Sequence, residues 1–236
     1  MLMEDEMKKI GILGGLGPES TIEYYRIITS LCRERGMGHN YPVIIIYSVN
    51  FQEINNLLVK GNLSEYADKL AEAIESLKSA GADFALIAAN TPHLVFEEVK
   101  SKSSIPLISI VEETAKVADK KGIRKVGLLG TKFTMEKDFY PAVFSKYGIQ
   151  IVVPEEKERN YIQEKIMEEL VDGVIKEETR RGFIKIIENL IARENIEGVI
   201  LGCTEIPLLI SQEMLSIPVL NTTRIHAEAA LNYAIS

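Results

Sequence analysis

The segment Lys9-Ile10-Gly11-Ile12-Leu13-Gly14 recurs as Lys125-Val126-Gly127-Leu128-Leu129-Gly130, and two further matches follow in the same order. Ala89-Asn90-Thr91 and Cys203-Thr204-Glu205 each close an apolar run, and Ser104-Ile105-Pro106-Leu107 returns as Ser216-Ile217-Pro218-Val219. The offsets shrink from 116 to 114 to 112 residues, as they do in a duplicated unit with small deletions. Short apolar runs alternate with amphipathic stretches, the pattern of βα units and parallel sheets. The expectation is an α/β fold of two similar domains, each a parallel sheet flanked by helices, related by internal duplication. Ligands of open parallel sheets bind beyond the carboxyl ends of the strands. That rule places Gly14, Ala89, Gly130 and Cys203 around one cavity in the cleft between the two domains.

Bulk properties narrow the function classes. The 236 residues carry a net charge of −7, which argues against sequence-independent nucleic-acid binding, since that requires a basic face. No apolar run approaches the roughly 18 residues that span a bilayer. The stretch Met1 to Lys9 is charged and lacks the apolar core of a signal peptide. Cys32 and Cys203 are too few for a disulfide framework. Together these point to the cytoplasm, with both thiols reduced.

Apolar spacing predicts helices over 19–35, 62–80, 93–100, 111–121, 135–146, 160–171, 177–194 and 223–234. Strands are expected at 9–14, 42–48, 84–89, 105–110, 125–130, 150–153, 199–202 and 218–220. The β-branched run from Pro42 to Ser48 suits a strand buried on both faces.

Four places carry candidate chemistry. Gly14-Gly15-Leu16-Gly17-Pro18-Glu19-Ser20-Thr21 follows the first strand and opens a helix. Its glycines suit either a carboxylate site or a plain tight turn. It has neither the dinucleotide G-x-G-x-x-G spacing nor a P-loop lysine. Cys203 follows Val199-Ile200-Leu201-Gly202 and precedes a helix expected near Glu205, whose dipole would favour the thiolate. A small buried hydrophobe is the bland alternative for a lone cysteine, and it suffices for Cys32. Asn90-Thr91-Pro92-His93 holds the matching place in the first half, where donors or mere capping both fit. Thr131 and Thr134, after Gly130, offer hydroxyls toward the same cavity. His39 reads as a loop residue, and His93 and His226 begin helices near the cleft rim. No metal is expected, because neither paired histidines nor a cysteine cluster occurs.

These motifs, with Leu201-Gly202-Cys203-Thr204-Glu205-Ile206-Pro207 the most specific and Asn221-Thr222-Thr223 near the end, resemble the aspartate/glutamate racemase family over essentially the whole chain. The resemblance implies two similar domains, the first discontinuous: 1–104 with 211–236, and 105–210. It implies a homodimer and an isomerase, an aspartate racemase or its glutamate counterpart, that needs no pyridoxal phosphate or other cofactor. In such enzymes two cysteines flank the substrate α-carbon, one removing its proton while the other delivers one. Cys203 matches the second, with Asn90, Thr91, Thr131, Thr134 and Thr204 as substrate contacts and Asn50 and Gln52 near the side-chain carboxylate. Lys165 is a further source of positive charge, although a solvated helix face explains it as well. The first cysteine is replaced by Ala89, which carries no proton. Three alternatives follow: a slow or one-sided racemase of a small acidic amino acid, a single-cysteine decarboxylase or isomerase of a dicarboxylate, and a non-catalytic binder of acidic amino acids.

Overall fold

The computed structural model describes residues 7–236; residues 1–6, part of the charged N-terminal stretch, lie outside them. The described residues form two compact units. One takes in the chain up to Ile110 together with His226–Ser236, and the other is Val111–Ile225.

The first unit runs β1 (Ile10–Gly14), α1 (Pro18–Glu34), β2 (Ile44–Ser48), α2 (Phe51–Val59), α3 (Leu63–Ser79), β3 (Phe84–Ile87), α4 (Phe96–Lys102) and β4 (Leu107–Ile108). Next come α5 (Ile110–Lys120), β5 (Lys125–Leu129), α6 (Lys132–Glu136), α7 (Phe139–Phe144), β6 (Gln150–Val152), α8 (Glu156–Lys165) and α9 (Glu177–Glu194). β7 (Gly198–Leu201), β8 (Val219–Asn221) and α10 (Thr222–Ala234) complete the chain.

The repeat in the sequence is a repeat in topology. One sheet has the order β2-β1-β3-β4 and the other β6-β5-β7-β8, with every pairing parallel. Single hydrogen bonds repeat as well. Asp83 N–H donates to Lys9 O at 3.0 Å, and Glu197 N–H to Lys125 O at 2.7 Å. Ala85 and Val199 each donate, at 2.9 Å, to the carbonyl of Pro106 and Pro218 respectively. At the carboxyl ends, Ala88 N–H bonds Leu13 O at 2.9 Å and Gly202 N–H bonds Leu129 O at 2.7 Å. The next residues, Ala89 and Cys203, therefore leave equivalent strands at equivalent steps.

Strand alternation sorts the core of the first unit into two layers. Ile10, Ile12, Phe84 and Leu86 pack with Tyr24 and Ile28 of α1 and with Ala227, Ala230 and Leu231 of α10. Leu13, Ala85 and Ile87 face the other way, onto Leu70, Ile74 and Leu77 of α3 and Val99 of α4. In the second unit Leu129, Val199 and Leu201 pack against Ile162 of α8 and Phe183, Ile187 and Leu190 of α9. Each such fully buried side chain stabilises the fold by about 1.5–3 kcal/mol.

Several expectations change. β2 is an edge strand with a neighbour on one side only, so Ile46 and Tyr47 are exposed instead of buried on both faces. Helix α2 was not expected; its apolar face holds only Ile54 and Leu58, too little for a clear period. The helix expected over 135–146 is broken into α6 and α7. Pro141 lacks the N–H that a continuous helix needs at that point, and it sits instead in the first turn of α7. The helix over 160–171 starts earlier, at Glu156, and its last turn widens into a π-helical turn, Ile166–Leu170. The compact units change over at 110/111 and 225/226, 6 and 15 residues past the expected 104/105 and 210/211, because β4 pairs with β3 and β8 with β7.

Candidate functional site

In the first unit the glycine loop is closed by its own side chains. Gly15 N–H donates to Thr21 Oγ1 at 3.0 Å. Gly15 has φ +80, and a Cβ there would stand 2.3 Å from Val49 O, so the loop packs too tightly against the end of β2 for any other residue. Asn50 and Gln52 are exposed and serve α2. Asn50 Oδ1 accepts from Gln52 N–H at 3.0 Å and Glu53 N–H at 3.3 Å, capping the helix, while Gln52 Nε2 donates to Asn56 Oδ1 at 2.8 Å. Asn90 is buried and Thr91 half-buried at the exit of β3, where Thr91 opens a 3₁₀ turn, Thr91–Val95. Asn90 O accepts from His93 N–H at 3.0 Å.

In the second unit Thr131 caps α6, and its hydroxyl lies 3.2 Å from that of Thr134. Thr134 is fully buried. A Cβ added to Gly130 or Gly202 would come within 3.1 or 3.0 Å of it. Thr134 thus wedges between the ends of β5 and β7, beside the residue that precedes Cys203.

Cys203, Thr204 and Glu205 are all half-buried and form one hydrogen-bonded group. Cys203 Sγ–H donates to Glu205 Oε2 at 2.8 Å, and Thr204 Oγ1–H donates to the same oxygen at 2.8 Å. The expected helix is absent here: only a three-residue 3₁₀ turn, Ile206–Leu208, follows, too short to carry a macrodipole. Burial among protein atoms, then the charge and the hydrogen bond of Glu205, push the Cys203 thiol well above its ordinary value. The anticipated preference for thiolate is therefore reversed, and the resting sulfur is a thiol. Glu205 is a residue of this group to which the sequence motifs assign no part. Its signal was the i, i+2 spacing, which in a turn folds a carboxylate back onto the thiol.

His93 and His226 do not lie on a rim. Both are buried, at 4% and 0% exposure. His39 is an exposed loop residue, and Cys32 is packed inside α1. Lys165 is committed to Glu169 at 2.9 Å. That carboxylate, 4% exposed, also accepts from Thr179 Oγ1 at 2.5 Å and Lys176 Nζ at 3.3 Å. Among the described residues no group of three His, Cys, Asp or Glu side chains is placed to hold a metal ion, and no helix is long and apolar enough to cross a membrane.

Known proteins share this architecture. A crystal structure of an aspartate racemase homologue from Pyrococcus horikoshii OT3 is 40% identical, with TM-score 0.89 over 98% of this chain and all of that one. The Picrophilus torridus aspartate racemase, 24% identical, shares the fold with TM-score 0.74, over 96% of this chain and 94% of its own. The broad specificity amino-acid racemase RacX of Bacillus subtilis is 28% identical over 156 residues, 61% of this chain and 63% of RacX. The match thus spans less than two thirds of that relative's length. The model of the Asp/Glu/hydantoin racemase family matches residues 13–230. With the duplicated sheets and the Leu-Gly-Cys-Thr-Glu exit from β7, that span settles the kinship: the chain belongs to the Asp/Glu/hydantoin racemase family.

Proposed function

We propose that this protein is a racemase of a small acidic amino acid, aspartate or glutamate, working without pyridoxal phosphate, with Cys203 as the group that exchanges a proton with the α-carbon. Asn50, Gln52, Asn90, Thr91, Thr131 and Thr204 are the proposed substrate contacts, with Thr134, fully buried, acting through its hydroxyl 3.2 Å from that of Thr131. From the resemblance come a homodimer and, with the sparse cysteines, the cytoplasm.

The observation that carries the reading is the bond between Cys203 Sγ–H and Glu205 Oε2 at 2.8 Å, at a strand exit whose counterpart holds Ala89. Sulfur starts as an acid. To act as a base it must first hand its proton to Glu205. A thiol is a weaker acid than a carboxyl group, and burial raises this one further, so that transfer is uphill before any help from substrate. Giving a proton to a carbanion is the easier direction, and no second sulfur stands at position 89 to take one away. On the opposite face a substitute such as water or Thr91 supplies or takes the second proton. One C–H bond breaks on the Cys203 side as another forms on the far side, or the reverse, and the proposed enzyme is consequently slow or one-sided. Hydrogen-bond donors at the substrate carboxylate would stabilise the enolate-like charge.

The test is deuterium incorporation at the α-carbon of L- and D-aspartate and glutamate in D₂O. Cys203→Ser should abolish it; undiminished incorporation in that variant removes the proposal.

The same lone, protonated thiol favours a second reading, decarboxylation of a malonate-like diacid. There the carbon–carboxylate bond breaks, carbon dioxide leaves with neither proton nor thiolate required, and Cys203 gives its proton to the resulting carbanion. Sulfur then regains a proton from solvent. Carbon dioxide release from such diacids, with no α-exchange of amino acids, would select it.

A further inference from the structure

Behind the corner that carries Ala89, Asn90 and Thr91, two buried histidines hold fixed and opposite tautomers. His93 Nδ1 lies 3.1 Å from Ala89 O, and Ile110 N–H meets His93 Nε2 at 3.1 Å. A carbonyl only accepts and an amide N–H only donates, so Nδ1 bears the hydrogen. His226 Nε2 lies 2.9 Å from Ile108 O and must donate to it, which leaves Nδ1 to accept from the Tyr24 hydroxyl at 2.7 Å. The rings stand 6.2 Å apart, and Phe96 stacks on His93 at 4.8 Å. Burial holds both rings neutral, with His93 pushed down to about 3 and His226 to about 4, the neighbouring His226 adding to the effect on His93.

His93 thereby grips two successive carbonyls, Ala89 O through its ring and Asn90 O through its own N–H at 3.0 Å. In a trans peptide the carbonyl and the next N–H point in opposite directions, and no cis bond occurs among the described residues. Fixing those carbonyls therefore fixes where the N–H groups of Asn90 and Thr91 aim, away from their respective acceptor bonds.

We propose that His93 is a positioning residue for the reaction: its Nδ1–H bond to the Ala89 carbonyl, locked by the Ile110 amide, sets the Asn90 and Thr91 amides for the substrate carboxylate. The proposal rests on the racemase reading above. His93 does not touch substrate; it acts through the peptide at residue 89.

Two variants separate this role from simple structural support. His93→Asn keeps a donor where Nδ1 stood and loses the acceptor for Ile110 N–H. His93→Gln keeps an acceptor near the Nε2 position and loses the donor to Ala89. Each gives up one buried hydrogen bond, so both should lower the urea unfolding midpoint comparably. For α-proton exchange in D₂O, kcat per folded molecule should stay near wild type in His93→Asn and fall about tenfold or more in His93→Gln, with KM little changed, since small displacements at a reacting centre cost rate. Equal kcat in the two variants, or losses that simply follow stability, overturns the proposal while leaving the racemase reading intact. Wild-type protein that exchanges no acidic amino acid overturns both. Nitrogen-15 spectra of the unmodified protein give a check that needs no variant: His93 should show Nδ1–H and His226 Nε2–H, and the reverse tautomer at His93 refutes the assignment.

Discussion

Cys203 and Glu205 share a proton-bearing contact of 2.8 Å, sulfur donating and carboxylate accepting. Burial is the main force opposing ionisation of the thiol, and a carboxylate held this close adds to it by repulsion and by stabilising the protonated form.

Replacing Glu205 by Gln removes the charge while keeping the shape, so the Cys203 pKa should fall. Each unit of fall raises the thiolate fraction about tenfold below the pKa. Alkylation by iodoacetamide at mildly alkaline pH, followed peptide by peptide so that buried Cys32 is not confused with Cys203, should be faster in Glu205→Gln by about that factor. An unchanged pH profile would mean that burial alone sets the thiol.

Ala89 occupies in the first unit the step that Cys203 occupies in the second, and it is half-buried rather than sealed. Ala89→Cys adds one sulfur at a place the main chain already presents. If the proposed reading holds, this variant should exchange the α-protons of both enantiomers, with the slower hand gaining about tenfold or more. Chiral chromatography of reaction mixtures started from each pure enantiomer measures it. A variant that folds normally and gains nothing on the slower hand would show that a second thiol is not what limits the protein.

Acid should unfold this protein in two stages. His93 and His226 have folded values below the ordinary 6.5, so the unfolded chain binds protons first and stability falls as pH drops from about 6.5 toward 4 and 3. Glu169, held by Thr179, Lys165 and Lys176, is depressed from 4.5 to about 2. Its contribution is therefore present above about 4.5 and lost as pH falls toward 2. In urea titrations at stepped pH, Glu169→Gln should flatten the lower stage and leave the upper one in place. A lower stage that keeps its slope would assign it to other carboxylates.

Much of the frame is legible in the amino-acid order, because Lys9–Gly14 and Lys125–Gly130 repeat both composition and spacing, and parallel strands leave short apolar runs. The burial of β2 is not, since a β-branched run reads alike at the edge and the centre of a sheet; only the strand order shows that Ile46 and Tyr47 lack a covering neighbour. Asn50 and Gln52 stand near a strand end, as expected, yet their side chains are committed to α2, a helix whose narrow apolar face gave no period. The text Glu205-Ile206-Pro207 suggests a helix start, and Pro suits a 3₁₀ turn equally well. The pairing of Tyr24 with His226 joins positions 202 residues apart, a separation across which local patterns carry no information.

The two sheets each hand one residue to their surface at the same step past the third strand, held there by the backbone bonds of Ala88 and Gly202. The main chain thus works as a pair of like sockets whose contents are interchangeable. On the proposed reading, what differs between the two sockets is the side chain, sulfur at Cys203 and a bare methyl at Ala89, while the backbone bonds that present them are alike.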